Sequence, residues 1–165
     1  MTRICFVRHG ETDWNIELRM QGHVDIPLNA TGLAQAAALG RCFADGVDAA
    51  AIYSSDLLRA RQTAQPIAES LGLPIVPLVE LRERSFGRCE GLVIAEILER
   101  FPEEGLAMKR RDADHVPQGG ESRRQHQERI RACVRELAGR HAAQSLVVVT
   151  HGGVLDVVYR IATGL

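Results

Sequence analysis

The sequence predicts an α/β fold, a three-layer α/β/α sandwich with a mostly parallel central sheet and helices on both faces. Two observations carry this prediction. Short apolar runs alternate with longer helix-forming segments along the 165 residues, and such an order implies right-handed crossovers between parallel strands. The chain also lacks repeats, low-complexity tracts and linkers, which predicts one domain over residues 1–165.

Four segments are predicted to be strands. Ile4–Val7 is a short apolar run followed by turn residues, and Ala50–Tyr53 is a second such run. Pro74–Val79 contains two prolines, which predicts a strand at the edge of the sheet. Ser145–Thr150 shows no alternation of polar and apolar residues, which predicts a strand buried on both faces.

Two helices are predicted in the first half of the chain. Thr31–Ala44 is rich in alanine and leucine, which favour helix. The next helix is predicted to run to about Leu71 from an N-terminal cap at Ser55 or Asp56. Pro66 lies inside it and predicts a kink or a split.

The second half of the chain predicts further helices. Gly91–Arg111 is predicted to be helical, with Pro102 starting a new turn. Ser122 and Gln125 have the spacing of a capping box, and apolar residues follow them at helical spacing. A last helix is predicted over Val154–Ala162.

Composition and charge disfavour several classes of protein. Twenty basic residues stand against 21 acidic ones, and aromatic residues make up 4%, so the basic excess and stacking surface of a nucleic-acid binder are missing. No apolar run approaches the roughly 20 residues that span a bilayer, and the N-terminal run is too short for a signal peptide. We therefore expect no nucleic-acid partner, no membrane partner and a cytoplasmic protein.

The sequence gives little support for a site that depends on cysteine, lysine or a metal ion. The four cysteines form no Cys-x-x-Cys pair and are predicted to be reduced and buried. The only lysine, Lys109, does not follow a glycine-rich loop. His9-Gly10-Glu11 has the His-x-Glu spacing of zinc deaminases, but their Pro-Cys-x-x-Cys partner is missing. We expect no metal and no cofactor.

Polar residues follow three of the predicted strands. Arg8-His9-Gly10 comes after the first, Ser54-Ser55-Asp56 after the second, and His151-Gly152-Gly153 after the valine-rich strand. Ligands of parallel sheets bind beyond the carboxyl ends of the strands. With Arg59 one turn into the next helix, two histidines and two arginines would form a cationic pocket suited to phosphate.

These residues belong to a longer pattern. Arg8-His9-Gly10-Glu11-Thr12 with Trp14-Asn15 resembles the signature of the histidine phosphatase superfamily, which includes the cofactor-dependent phosphoglycerate mutases. The likeness continues in family order through Gln21-Gly22, Asp25-x-Pro27-Leu28, Thr31-Gly32, the segment 54–64, Leu81-x-Glu83, Gly87, Glu90-Gly91, Gly120-Glu121-Ser122 and Thr150-His151-Gly152-Gly153. The resemblance implies a phosphoglycerate mutase-like fold and a small phosphorylated substrate.

The resemblance also implies roles for the cationic residues. His9 would be the nucleophile that forms a phosphohistidine. Arg8, Arg59 and His151 would bind the phosphoryl oxygens and offset their charge without a metal. The nearby positive charges should disfavour protonation of His9 and keep it nucleophilic. On residue spacing alone, Arg8 and His9 could instead cap a strand end.

The proton donor is implied to be Glu83, which would protonate the leaving oxygen and then deprotonate water. Glu11 and Glu90 compete for this role, and Glu83 could instead form surface ion pairs within Arg82-Glu83-Arg84. Further positions implied to line the substrate pocket are Asn15, Gln21, Gly22 and Gly152. Glu11 and Thr12 are assigned to loop structure.

The remaining histidines and arginine runs match nothing in the pattern. The histidines are predicted to lie on the surface: His23, His115, His126 and His141. Lys109-Arg110-Arg111 and Arg123-Arg124 are predicted to be solvated helix faces, and attraction of an anionic substrate is the alternative.

Three functions stay open, with a metal-independent phosphomonoester hydrolase favoured. A mutase shields its phosphohistidine with lid segments, whereas here only about 91–118 is available as a modest helical cover. Phosphoglycerate mutase is the alternative, and a non-catalytic phospholigand-binding module is a weaker one. The chain stops at Leu165, earlier than the family commonly does, so an exposed sheet edge and a homodimer are further expectations.

Overall fold

The computed structural model describes residues 1–46 and 48–165. Its sheet has the strand order β1-β4-β2-β3, and every adjacent pair of strands is parallel. The strands are β1 (Arg3–Arg8), β2 (Ala51–Ser55), β3 (Ile75–Leu78) and β4 (Ser145–Thr150). All four predicted strands are therefore confirmed, and the proline-containing β3 lies at an edge as expected.

Seven α-helices lie in the described part of the chain. They are α1 (Asp13–Ile16), α2 (Ala30–Ala44), α3 (Leu58–Leu71), α4 (Ile94–Arg100), α5 (Pro102–Arg110), α6 (Arg123–Arg140) and α7 (Gly152–Thr163). Short 3₁₀ turns cover Val79–Leu81 and Gly87–Cys89. The sequence predicted the positions of α2 to α7, but α1 was missed because a four-residue helix has too little hydrophobic periodicity to be recognised.

The helices cover both faces of the sheet. On one face α2 and α3 pack in a core that includes Phe43, Ile52, Ile67, Val147 and Val149. On the other face α6 packs through Cys133 and Leu137 against Tyr53, Leu146 and Val148, and α7 packs on α6 through Val154 and Val157. The central strand β4 is buried on both faces, which confirms the predicted three-layer α/β/α fold.

The cap of α3 differs from the prediction. Leu57 occupies the N-cap position without a side-chain hydrogen bond, and Oδ1 of Asp25 instead accepts from the Leu58 amide at 2.6 Å. Both predicted caps have other partners: Asp56 binds the guanidinium of Arg82, and Ser55 binds His151. A carboxylate from a distant loop therefore satisfies this helix end.

Pro66 does not split α3. The helix continues past it to Leu71 and ends at Gly72, which adopts a left-handed φ of 64°. Gly40 of α2 allows α2 and α3 to approach closely, since a Cβ there would stand 2.8 Å from the Pro66 carbonyl oxygen. Packing of α3 on α2 and the sheet therefore offsets the lost helix hydrogen bond.

The prediction of buried cysteines was wrong for two of the four. Cys89 and Cys133 are buried, but Cys5 and Cys42 are exposed. Cys5 lies in the edge strand β1, whose residues alternate in exposure. Cys42 lies on the solvent side of α2, next to the buried Phe43.

No helix among the described residues is long and apolar enough to cross a membrane.

Candidate active site

Two histidines meet at the carboxyl edge of the sheet. His9 follows β1, and His151 follows the adjacent strand β4. Their ring centroids lie 5.2 Å apart, and both side chains are buried. The convergence predicted from the parallel strand order is therefore observed.

The ring of His9 is held in one tautomer. Its Nδ1–H donates to the Gly10 carbonyl at 2.7 Å, which leaves the lone pair of the neutral ring on Nε2. Burial, helped by the guanidiniums of Arg59 and Arg8 and opposed by the hydrogen bond to Gly10, lowers the pKa of His9 to about 4. The ring is therefore neutral at pH 7, and burial contributes more to this than the expected positive charges.

His151 caps α7 by position and is fully buried. Its Nε2 forms a hydrogen bond with the Ser55 hydroxyl at 2.8 Å. Its Nδ1 is buried and has no partner among the described residues. Burial, followed by the charge of Arg59, lowers the pKa of His151 well below its ordinary value. A neutral ring with one free nitrogen is thus available to a ligand.

Arg59 is a buried, rigidly held cation. Its Nη1 donates to the Val24 carbonyl at 2.9 Å and its Nη2 to the Gly22 carbonyl at 2.8 Å. Its Nε has no partner within the part of the chain that is described. Burial lowers its pKa to about 10, while Glu83, Asp25 and Glu90 oppose that shift. The guanidinium therefore stays charged at pH 7 and offers an unused donor.

Glu83 lies against the start of the helix that follows His151. Its Oε2 accepts from the Gly153 amide at 2.8 Å, and its Oε1 accepts from the Arg84 amide at 2.9 Å. The alternative of ion pairing within 82–84 is wrong, because Arg82 binds Asp56 instead. The carboxylate thus sits at the start of α7 and lines the cleft described below.

The two competing carboxylates are engaged elsewhere. Oε1 of Glu90 accepts from the backbone amides of His23 and Phe86 and shapes a loop. Oε1 of Glu11 accepts from the Asn29 side chain. Among the three candidates, Glu83 is the one that lines the cleft described below.

The other candidate pocket residues differ in their surroundings. Asn15 uses its Oδ1 to accept from the amide and hydroxyl of Thr12, which caps α1. Gln21 is buried with its Oε1 unpartnered among the described residues. Gly22 has a left-handed φ of 49° and supplies a carbonyl to Arg59. Arg8 is exposed, and its Nε lies 3.6 Å from where a Cβ on Gly152 would stand.

The prediction of surface histidines was wrong for His126. His126 is 4% exposed, and its Nε2 lies 3.9 Å from Oε1 of Glu83. His23 donates from Nε2 to the Glu83 carbonyl at 2.8 Å. His126, Ile130 and Leu137 are all buried on α6, so the helical spacing of apolar residues contained the signal for His126.

His115 and His141 are also partly buried. The Nε2 of His115 is buried without a partner among the described residues. His141 binds the Tyr53 hydroxyl at 2.8 Å. Neither histidine lines the cleft described next.

A cleft of about 620 Å³ adjoins Glu83 and Gly153. Its remaining walls include His126, Met108, and the arginines Arg84, Arg111, Arg123, Arg124 and Arg160. Arg111 and Arg124 are exposed, as predicted for solvated helix faces, and Arg123 is half-buried; all three line this cleft. Among the described residues, no three His, Cys, Asp or Glu side chains are grouped to hold a metal ion.

Comparison with known proteins decides the family. The model of the histidine phosphatase superfamily (branch 1) matches residues 4–165. The chain belongs to this superfamily. It is 39% identical over 161 residues to a metal-independent phosphoserine phosphatase of Arabidopsis thaliana, covering 96% of this chain and 68% of that protein.

Two further relatives support the same activity. A glucosyl-3-phosphoglycerate phosphatase of Mycobacterium tuberculosis is 37% identical over 93% of this chain and 71% of its own length. The crystal structure of a putative alpha-ribazole-5'-P phosphatase from Escherichia coli matches with a TM-score of 0.92 at 28% identity, over 99% of this chain and 80% of that one. The chain is a small-metabolite phosphatase with the phosphoglycerate mutase-like fold.

The folding stability of this histidine phosphatase is expected to fall as the pH drops from 6.5 to 4. Burial lowers the pKa of His9 and His126 to about 4 from an ordinary 6.5, so in this range the unfolded chain binds protons that the folded protein excludes. At pH 5 each of these histidines should cost about 2 kcal/mol of stability relative to pH 7.5.

Urea unfolding at pH 7.5 and pH 5 measures this effect. The His126→Gln variant removes one titrating group and keeps a polar side chain. Its unfolding should therefore take up about one proton fewer, and its free energy of unfolding should fall less steeply with decreasing pH. If the free energy of unfolding of this variant fell with pH as steeply as that of the native phosphatase, His126 would not be one of the groups that take up a proton on unfolding.

Gly153→Ala is expected to lower kcat of the phosphatase by about 100-fold. A Cβ at this position overlaps the Glu83 carboxylate, which must then leave its place at the start of α7. Because the obstacle is the end of a flexible side chain, the melting temperature should change little. The control is Gly139→Ala on α6, where nothing lies within 4 Å of the added Cβ. Gly153→Ala activity within twofold of native would refute this placement of Glu83.

Proposed function

We propose that this phosphatase hydrolyses phosphomonoesters through a phosphohistidine at His9, without a metal ion. The observation that carries the proposal is the buried pair of neutral histidines, whose ring centroids lie 5.2 Å apart. The guanidinium of Arg59 adds positive charge to the same pocket and has an unused Nε donor. A neutral imidazole is a nucleophile at pH 7. Buried cationic and polar donors supply the charge stabilisation that phosphoryl transfer needs.

In the first step Nε2 of His9 attacks phosphorus, and the bond from phosphorus to the leaving oxygen breaks. Glu83 gives its proton to that oxygen, so the product leaves as a neutral alcohol. Arg59, Arg8 and His151 hold the three remaining phosphoryl oxygens. The free Nδ1 of His151 and the free Nε of Arg59 support these assignments.

In the second step a water molecule attacks the phosphohistidine. Glu83 takes a proton from this water, the bond from Nε2 to phosphorus breaks, and inorganic phosphate leaves. Gln21, Gly22, Asn15 and Gly152 complete the pocket in this proposal. The buried, unpartnered Oε1 of Gln21 can accept only from a donor of the substrate, such as a hydroxyl of the leaving group, while Asn15 has only its amide nitrogen free for a ligand.

The test is rapid-quench labelling with a ³²P-labelled phosphomonoester in the presence of EDTA. We expect a phosphoenzyme that is labile in acid and stable in base, as a phosphoramidate is, with turnover unaffected by EDTA. Loss of turnover in EDTA, or a label stable in acid, would refute the proposal. Transfer of the label to phosphoglycerate instead of water would identify the mutase alternative, and binding without labelling would identify a non-catalytic module.

We also propose a single domain with a cover formed by α4 and α5, a cytoplasmic location and a homodimer. The four unpaired cysteines support a reducing compartment. The edge strand β1 pairs on one side only among the described residues, and such an edge favours association. Sedimentation equilibrium tests the dimer, and a monomer at micromolar concentration would refute it.

A further inference from the structure

His126 is a buried polar side chain that the proposed mechanism does not use. It lies in the first turn of α6 and is 4% exposed. Its Nε2 has no hydrogen-bond partner among the described residues. A buried ring nitrogen without a partner costs free energy, so its placement requires a physical reason.

The Glu83 carboxylate is the acceptor that this nitrogen faces. Nε2 of His126 lies 3.9 Å from Oε1 of Glu83, about 1 Å beyond hydrogen-bond distance. Each carboxylate oxygen can accept two hydrogen bonds, and here each accepts one, from the amides of Arg84 and Gly153. Glu83 therefore has acceptor capacity left, and a small rotation of its carboxyl group brings Oε1 within reach of His126.

The other charged groups that act on His126 do not offer such an acceptor. They are Arg129, Glu121 and Arg84. The two arginines are cations with donors only. Glu121 accepts from Arg129 through both carboxylate oxygens, at 2.9 Å and 2.7 Å, and it lies more than 4.0 Å from the ring nitrogens of His126. Of these groups, Glu83 is the one that Nε2 can reach.

The ring of His126 is neutral at pH 7. Burial lowers its pKa to about 4, although the charge of Glu83 opposes this shift. A neutral imidazole has one N–H donor and one lone pair. Because a carboxylate oxygen attracts the N–H and repels the lone pair, the tautomer with hydrogen on Nε2 is favoured beside Glu83.

We propose that His126 is a positioning residue for Glu83, whose Oε1 accepts from Nε2–H of His126 once the carboxyl group has given its proton to the leaving oxygen. This inference rests on the proposed phosphatase mechanism, in which Glu83 is the proton donor. His126 keeps its own proton throughout. The proton on the leaving oxygen comes from Glu83, and water returns one to Glu83 in the second step. The added hydrogen bond stabilises the carboxylate that the first step forms.

The contribution of His126 should depend on the leaving group. The phenolate of phenyl phosphate is a poor leaving group and needs a proton from Glu83, whereas the nitro group of p-nitrophenyl phosphate stabilises its phenolate without one. His126→Leu removes the donor and keeps a buried side chain of similar size. We expect this variant to lower kcat/KM for phenyl phosphate by about 10-fold and for p-nitrophenyl phosphate by about twofold or less.

Three further proteins complete the experiment. His126→Gln keeps an N–H donor near the position of Nε2 and should stay within about threefold of native for both substrates. The matched control is His115→Leu, because Nε2 of His115 is also buried without a partner in the described part of the chain, but His115 does not line the cleft. Both rates should stay near native in this control. In a Glu83→Gln background, His126→Leu should cause no further loss.

The tautomer of His126 is a second, independent readout. Long-range ¹H–¹⁵N NMR spectra of the native protein at pH 7.5 measure it, with His126→Gln assigning the signal, and we expect hydrogen on Nε2. Hydrogen on Nδ1 would overturn the proposal. So would a folded His126→Leu protein that loses neither activity or both equally, or a further loss in the Glu83→Gln background.

Failure of the proposed function would give a different result. If the native protein did not hydrolyse p-nitrophenyl phosphate, the phosphatase mechanism itself would be refuted. If Glu83→Gln lowered the rates for the two aryl phosphates equally, Glu83 would not be the proton donor.

Discussion

His9→Ala is expected to lower kcat/KM for p-nitrophenyl phosphate by about 10⁴-fold or more. The neutral ring of His9, with Nδ1 bound to the Gly10 carbonyl, is the only group proposed to attack phosphorus. His151 is not expected to replace it, because the proposed mechanism uses its free Nδ1 to hold a phosphoryl oxygen. Initial rates of phosphate release measure the effect.

The control for this variant is His141→Ala. His141 ends α6 next to the start of β4, at the opposite edge of the sheet, so its loss should leave the rate near native. Thermal unfolding of both variants separates loss of chemistry from loss of fold. A folded His9→Ala protein that retains more than a few per cent of native activity would show that another residue is the nucleophile.

Arg59→Met is expected to lower kcat/KM by about 10³-fold and to weaken inhibition by vanadate. Arg59 supplies a buried charge and the unused Nε donor, and it also fixes the carbonyls of Gly22 and Val24. Losing these two hydrogen bonds leaves buried acceptors unpaired, whereas removing the buried charge relieves desolvation. Stability should therefore change much less than activity.

Two companion variants separate charge from geometry. Arg59→Lys keeps the charge, but one ammonium cannot hold both carbonyls and still face a ligand, so it should recover little of the lost activity. Arg61→Met changes an exposed arginine of the same helix and should behave as native. Full activity in Arg59→Lys would show that charge alone suffices, and tight vanadate inhibition in Arg59→Met would contradict a phosphate-binding role.

Local rules were enough to place the site along the chain. The strand preceding His9 and the strand preceding His151 were both recognised from short apolar runs, and parallel strands end at one edge. The capping box at Ser122 is also predictable from a local pattern, because its donors and acceptors are three residues apart. Features set by neighbours in sequence can be read from the sequence.

Features set by distant neighbours could not be read in this way. The cap of α3 comes from Asp25, 33 residues away from Leu58, while the expected caps bind Arg82 and His151. The sequence predicts a surface position for His126, whereas the fold buries it beside Glu83. No local pattern gives such a partner, because the pairing depends on which loops the sheet brings together.

The sequence was therefore sufficient to predict the four strands, the helices α2 to α7, the superfamily and the convergence of two histidines at the sheet edge. It did not show that Arg59 is fully buried, that the His9 pKa falls chiefly through burial, or that Arg84, Arg111 and Arg123 share one cleft. Burial and charge balance are sums over neighbours from separate elements, and they exist only once the chain has folded.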